Sequence, residues 1–308
     1  VPELPEVHTT ATGLQKVLPG LKIVDVWTDY NSSFYAGKDN IKDKKYFKKF
    51  RIQIIGKKVI GAGRRGKNVL IHLKDDFTIL VHMKMTGHIL YGTYRRVKSR
   101  KSIKSIKWDP VEPETLKDPF NRFIHFVITF SNGKCLALSD MRKFAKITLL
   151  KTSTIDESLD TKHLGPEPLE KNFTFEVFKK QLNKKPSGKI KTVLMDQSLV
   201  SGIGNIYSDE ILWKTGIHPL KCVKNISNSN LKKIYETVKI ILRKGIDFGG
   251  DSMSDYRNIH GEKGNFQHKH QAYRKTGEKC SKKNCEGIIV RIKVGGRSAH
   301  FCSTHQKI

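Results

Sequence analysis

The chain has 308 residues, enough for two domains of ordinary size, each with its own core. Its 58 Lys and Arg stand against 29 Asp and Glu, and the self-repulsion of a net charge of +29 calls for a polyanionic partner. With 37% hydrophobic and 28% charged residues it is globular in type, and no run nears the roughly 18 uncharged apolar residues of a membrane-spanning helix, which excludes one.

Val1-Pro2-Glu3-Leu4-Pro5-Glu6 places acids where a secretory leader carries basic and then apolar residues, so a cytoplasmic protein is expected, nucleoid-associated in a bacterium. Val7, Ala11, Leu14, Val17 and Leu18 then recur at helical spacing up to Pro19-Gly20. Lys22 to Trp27, Arg51 to Ile60, Asn68 to Leu73, Phe77 to Met83, Phe123 to Phe130 and Cys135 to Leu138 read as strands, being rich in β-branched and aromatic residues with partial alternation. Asp75-Asp76 and Ser131-Asn132-Gly133-Lys134 supply two of the turns. The polar stretch ending in Gly165-Pro166-Glu167-Pro168 interrupts regular structure and reads as a linker. Beyond it the periodicity turns helical: Leu231, Ile234, Tyr235, Val238, Ile241 and Leu242 trace one helix face, with Ser229 and Asn230 as candidate caps. Strands followed by helices predict an α+β chain, with a β-rich domain over 1–150, a linker over 151–168, a helical domain over 169–270 and a terminal finger over 271–308.

Three constellations carry chemistry. Cys280-x4-Cys285-x16-Cys302-x2-His305 is two close ligand pairs separated by room for a β-hairpin, with Gly295-Gly296 as its turn, the pattern of a closed tetrahedral Zn²⁺ site of structural kind. Cys135 and Cys222 have no such partners and read as small apolar residues. Leu194 to Tyr207 reads as a helical segment, a turn through Gly202 and Gly204, and a second helix start. Its amides and the Asn205 side chain would face a phosphate, although a Gly-x-Gly alone marks a tight turn as often. Glu3 and Glu6 flank the start of the first helix, where by composition alone they serve the helix dipole. Between strand regions, residues 94–107 hold seven basic residues and no acid, which reads as a solvated loop that adds to the attractive field.

Pro2-Glu3-Leu4-Pro5-Glu6-Val7, Gly202-Ile203-Gly204-Asn205-Ile206-Tyr207 and the terminal finger, together with His163 to Leu169, resemble the formamidopyrimidine-DNA glycosylase / endonuclease VIII family in the family's order and over almost the whole chain. Leu4-Pro5 is closer to the formamidopyrimidine branch. The resemblance implies an amino-terminal β-sandwich with a flanking helix, a carboxy-terminal helix-two-turn-helix bundle and a zinc-finger β-hairpin, with duplex DNA in the cleft between domains. It also implies excision of a damaged base by attack of the terminal proline nitrogen on C1′, a Schiff base, and strand cutting at the resulting AP site. A chain-terminal amine, with a pKa of about 7.7 to 8.0, is partly neutral at pH 7 where a lysine is not.

By the same resemblance Pro2 is the nucleophile, Glu3 the general acid/base, Glu6 a supporting carboxylate and Lys67 a lysine near the lesion phosphate. Met85, Arg142 and Phe144 match the side chains that fill the gap left by an everted nucleotide, which offsets part of the few kcal/mol that flipping costs. Lys191, Asn205, Tyr273 and Arg297 match phosphate contacts, and Ser252 to His270 lies where the lesion-covering loop lies.

Two positions depart from the family pattern. Val1 precedes Pro2 and would make its nitrogen an amide, in which case the Val1 amine replaces it or water attacks C1′ and strand cutting is lost. His305 stands where the family's fourth ligand is Cys, an exchange that Zn²⁺ accepts. The expectation is a monomeric, zinc-containing base-excision glycosylase acting on DNA with a damaged base, oxidised purines first, or an AP site. A glycosylase without lyase action on another lesion such as uracil, and a non-catalytic DNA binder on the same fold, are the alternatives.

Overall fold

A computed structural model describes residues 2–98 and 106–308. The chain forms two compact units: one holds everything up to Lys162 together with Gly249–Asn265, the other His163–Phe248 and Phe266–Ile308. Among the described residues no helix is long and apolar enough to cross a membrane.

The first unit opens with α1 (Leu4–Val17), whose Leu4, Val7, Ala11 and Leu14 are buried at helical spacing. There follow β1 (Ile23–Thr28), α2 (Lys44–Ile54), β2 (Val59–Arg65), β3 (Asn68–Leu73), β4 (Phe77–His82), β5 (His88–Lys98), β6 (Ile106–Glu112), β7 (Ile124–Phe130), β8 (Cys135–Ser139) and β9 (Lys146–Lys151). The strands make a five-stranded sheet in the order β1-β7-β8-β5-β6 and a four-stranded one in the order β2-β3-β4-β9, with the described pairings antiparallel. Alternate residues of both sheets, such as Val69, Ile71, Ile79 and Val81 from one and Phe126, Ile128, Leu136 and Leu138 from the other, share one core with Val7 and Leu14 of α1 and with Leu18 at its end. This is the β-sandwich with a flanking helix.

Arg51 to Ile60 is not one strand: Arg51–Ile54 end a helix, and only Val59 and Ile60 belong to β2. Asp43 caps a helix there by accepting the Tyr46 N–H at 2.6 Å, and Phe50 and Ile54 are buried at helical spacing while Ile52 is left 79% exposed. A run of β-branched residues carries no period, and the cap decides. Nor is the basic run simply a solvated loop: Tyr94 to Lys98 continue β5 and Ile106-Lys107 begin β6, with Trp108 buried and its ring 5.9 Å from that of Trp27. The intervening residues 99–105, and Val1, lie outside the described residues.

Residues 249–265, read from the sequence as part of the helical domain, pack with the sandwich instead. The Tyr91 N–H donates to the Ile259 carbonyl, Thr115 Oγ1 donates to the His260 carbonyl, and Arg257, 1% exposed, reaches Asp118 at 3.2 Å. These partners stand more than a hundred residues apart in the chain, beyond the reach of a local pattern.

The second unit holds α3 (Phe175–Leu182), α4 (Ile190–Leu194), α5 (Asn205–Thr215), α6 (Asn228–Asp247) and the hairpin β10 (Ile289–Val294) and β11 (Arg297–Cys302). Ser227, and not Ser229 or Asn230, caps α6 by accepting the Asn230 N–H, and Leu231, Ile234, Val238, Ile241 and Leu242 form its buried face. The α4–turn–α5 arrangement and the hairpin match the reading of the two carboxy-terminal motifs.

Candidate functional site

At the start of α1, Glu3 and Glu6 close a capping box: the Glu3 N–H donates to Glu6 Oε2 at 2.7 Å, and the Glu3 carboxylate receives the Glu6 N–H. Pro2, Glu3 and Glu6 are all buried, Glu3 to 3% exposure and Glu6 to 1%. The other oxygen of Glu6 accepts the Asp251 N–H at 2.7 Å, and the Tyr256 hydroxyl donates to the Glu6 carbonyl at 3.0 Å. Gly250 makes this approach possible. Its φ is +86°, and a β-carbon there would lie 2.9 Å from Glu6 Cγ. The acids are thus oriented by neutral donors, with Pro2 immediately before them.

Lys67 occupies the two-residue turn between β2 and β3 beside Gly66. His82, paired across the sheet with Asn68, feels it. Burial, with Lys84 and Lys67 nearby, pushes the imidazole down to about 3, so it is neutral at pH 7.

Met85 sits in the turn between β4 and β5 and is 42% exposed; Phe144, in the turn before β9, is 47% exposed. The Arg142 guanidinium lies 4.4 Å from the centre of the Phe144 ring. Thr86 Oγ1 accepts the Arg142 N–H at 3.1 Å, so the two turns touch. All three expected gap-filling residues are therefore on one unit and reach solvent.

In the second unit Asn205 opens α5, capped by Gly204, with its side chain half-buried. Arg297 is exposed at the Gly295-Gly296 turn, paired with Val294. Tyr273 is half-buried. Its N–H donates to Glu210 at 2.9 Å and its ring stands edge-on to His300 at 5.2 Å.

Lys191 departs from expectation. Its side chain is fully buried, with Nζ directed at Asp209, at Ser208 Oγ (3.3 Å) and at the Asn205 carbonyl (3.5 Å). The ammonium is turned inward to a buried carboxylate and to the start of α5, not outward to solvent. Asp209 completes the arrangement by accepting the His300 N–H at 3.0 Å and meeting His300 Nδ1 at 2.9 Å, which ties α4, α5 and β11 together.

Cys280, Cys285, Cys302 and His305 converge, their ligand atoms lying within 4.8 Å of one another. Cys280 Sγ and Cys285 Sγ stand 3.5 and 3.6 Å from His305 Nδ1, and Cys285 Sγ 3.5 Å from Cys302 Sγ. The far nitrogen of His305 lies 3.0 Å from the Trp213 carbonyl. That bond requires Nε2–H and leaves the Nδ1 lone pair aimed at the sulfurs, and burial further favours the neutral ring. The four residues fit a tetrahedral metal ion. Cys135, by contrast, is packed in a small apolar cluster, and Cys222 is half-buried with Lys189 Nζ 3.5 Å away.

Asp251 and Tyr256 beside Glu6, Asp140 and Thr86 behind the turns, and Asp209 and His300 behind α5 were not singled out from the sequence. Asp209 offered one weak signal, an acid four residues after Asn205 beside a second acid, Glu210; the others had none.

The family description "Formamidopyrimidine-DNA glycosylase N-terminal domain" matches residues 1–147, and "Formamidopyrimidine-DNA glycosylase H2TH domain" matches residues 164–257. The formamidopyrimidine-DNA glycosylases of Pelotomaculum thermopropionicum and of Lactococcus lactis subsp. cremoris are each 34% identical to the chain, with both partners covered to 100%. Among solved structures, a Lactococcus lactis Fpg mutant in complex with Fapy-dG containing DNA superposes with a TM-score of 0.81 at 32% identity, covering 100% of both chains. The Lactococcus lactis Fpg bound to abasic-site DNA also gives 0.81, at 32% identity over 99% of this chain and 100% of that one.

Proposed function

The chain belongs to the formamidopyrimidine-DNA glycosylase family, and on that premise we propose that it binds duplex DNA bearing a damaged base or an abasic site, everts the damaged nucleotide and cleaves its N-glycosidic bond. The observation that carries this reading is the buried Glu3–Glu6 pair at the head of α1, oriented by backbone N–H groups and set directly after Pro2. Buried at the head of α1 directly after Pro2, with its carboxylate receiving the Glu6 N–H, Glu3 is the group to take up and return a proton as the sugar bond breaks. Glu6 fixes its geometry and that of the 250–256 backbone.

Lys67, at the hairpin tip, supplies a cation for the phosphate next to the lesion. Met85, Arg142 and Phe144 take the space of the everted nucleotide. Asn205, with the amides at the start of α5, together with Tyr273 and Arg297, grips the backbone. Cys280, Cys285, Cys302 and His305 would hold one Zn²⁺ with every position filled by protein, so the ion's part is to stabilise the hairpin that displays Arg297. Oxidised purines are the substrate class, and the place of action is the chromosome, in the cytoplasm. Strand cutting requires in addition a free amine next to Glu3, at Pro2 or at Val1.

Single-turnover base release on duplexes with an oxidised purine tests this reading. Glu3→Gln should cut release by about 10²- to 10⁴-fold with duplex binding retained; wild-type binding with no release from any lesion would make the protein a binder only. Borohydride trapping reads the second step, since a covalent protein–DNA adduct requires an amine nucleophile, and base release without an adduct means that water attacks.

A further inference from the structure

We propose that buried Asp140 and Thr86 are positioning residues which lock the Met85 turn to the Arg142–Phe144 turn before DNA is bound, so that the gap-filling side chains are presented as one rigid unit. This rests on the role given above to Met85, Arg142 and Phe144.

Asp140 is fully buried. Its Oδ1 accepts the Thr86 hydroxyl at 2.5 Å, and its Oδ2 accepts the Ala145 N–H at 2.8 Å and the Tyr30 hydroxyl at 3.2 Å. Thr86 Oγ1, having donated to Asp140, accepts the Arg142 N–H at 3.1 Å. Among uncharged side chains of this size, only a hydroxyl can donate to one turn and accept from the other with a single atom. Lys42, 4% exposed, adds a bond from Nζ to the Lys143 carbonyl at 2.6 Å. Burial and the Asp140 charge push the Tyr30 hydroxyl far up, so it remains a donor at every working pH.

The backbone on either side of this knot is held in an unfavourable form. Lys84, next to Met85, has a φ of +55°, and Lys143, between Arg142 and Phe144, a φ of +54°, both in the left-handed region that L side chains rarely adopt. Such conformations persist where surrounding bonds over-determine them. Here Lys84 is held by its N–H to His82 Nδ1, and Lys143 by its N–H to the Asp140 carbonyl and by Lys42, while the Asp140 carboxylate ties the residues on either side of them, Thr86 and Ala145, to each other; what these bonds hold out is two large apolar side chains exposed by 42% and 47% and a stacked guanidinium. A wedge that must displace a stacked nucleotide acts best when its own freedom is already lost, because ordering it on insertion would subtract from the gain.

Stopped-flow fluorescence of 2-aminopurine placed next to the lesion, followed by single-turnover base release, tests the proposal on the full chain. Thr86→Val, close in shape but without the hydroxyl, should slow the eversion phase by about tenfold to a hundredfold, while Thr86→Ser restores it. Binding to undamaged duplex and its salt dependence should not move. In a Phe144→Ala background, adding Thr86→Val should slow eversion by less than about twofold, since the residue acts through the wedge. Full multiplicative effects in the double variant, or a wild-type eversion phase in folded Thr86→Val protein when Phe144→Ala is slow, overturn the proposal alone. A Phe144→Ala protein that everts normally overturns the wedge assignment and the proposal with it.

Discussion

In the amino-terminal unit Glu6 is held by the backbone N–H groups of Glu3 and Asp251, whereas in the other unit Asp209 holds a lysine and a histidine, and four further side chains converge in an arrangement that fits a metal ion. The first arrangement orients a carboxylate with backbone dipoles. The second sets charge against charge inside the protein and uses it up in building a frame. Buried opposite charges roughly repay each other's desolvation while both are present, but losing one leaves the other stranded. The carboxy-terminal unit should therefore fail abruptly when an ionic partner is removed, and the amino-terminal unit should fail by degrees.

Metal removal probes the abrupt side most strongly. Free energies of structural Zn²⁺ binding in finger peptides are on the order of 10 kcal/mol, comparable to the stability of a whole domain. Chelation, or Cys302→Ala, should unfold the 271–308 segment, seen as rapid protease nicking there and loss of duplex affinity, with zinc released at one ion per chain. A nick-resistant, metal-free finger would break the comparison. The next largest effect belongs to Asp209→Ala, which strands the Lys191 ammonium at zero exposure and should cost about 3 to 5 kcal/mol in urea unfolding of that unit. Pairing it with Lys191→Met should recover most of the loss; no recovery would mean that the His300 bonds, and not the ion pair, carry the stability.

The difference between the units also decides how much was legible beforehand. The convergence of Cys280, Cys285, Cys302 and His305 was readable because its chemistry is local: two close pairs and a glycine turn already imply a hairpin that brings the pairs together. The amphipathic face of α6 was readable for the same reason. The start of α2 was missed because its signal is one capping aspartate, Asp43, against a run of isoleucines that suggests a strand. Lys191 was recognised by type, but a residue type does not say whether its charge faces out or is spent on a partner, here Asp209 on the next helix. The environment of Glu6 was invisible, since its partner Asp251 lies 245 residues from it. Likewise 54 residues separate Thr86 from Asp140.

Glu6→Gln tests the gradual side and is the smallest of these effects. The amide keeps an acceptor oxygen for one of the two N–H groups that the carboxylate serves and turns its NH₂ toward the other, so a charged hydrogen bond is lost and a mild donor–donor conflict gained. Since hydrogen bonds to charged groups contribute about 1.5 to 3 kcal/mol and ordinary ones about 1, a net loss of roughly 1 to 2 kcal/mol is expected in urea unfolding of the sandwich unit. The Tyr256 bond to the Glu6 carbonyl and the Arg257–Asp118 pair remain, so the 249–265 segment should loosen without leaving the sandwich: faster protease nicking there, with an unfolding transition still cooperative. If instead the loss equals that of Asp209→Ala, Glu6 balances a charge as Asp209 does, and backbone dipoles are not what holds the start of α1.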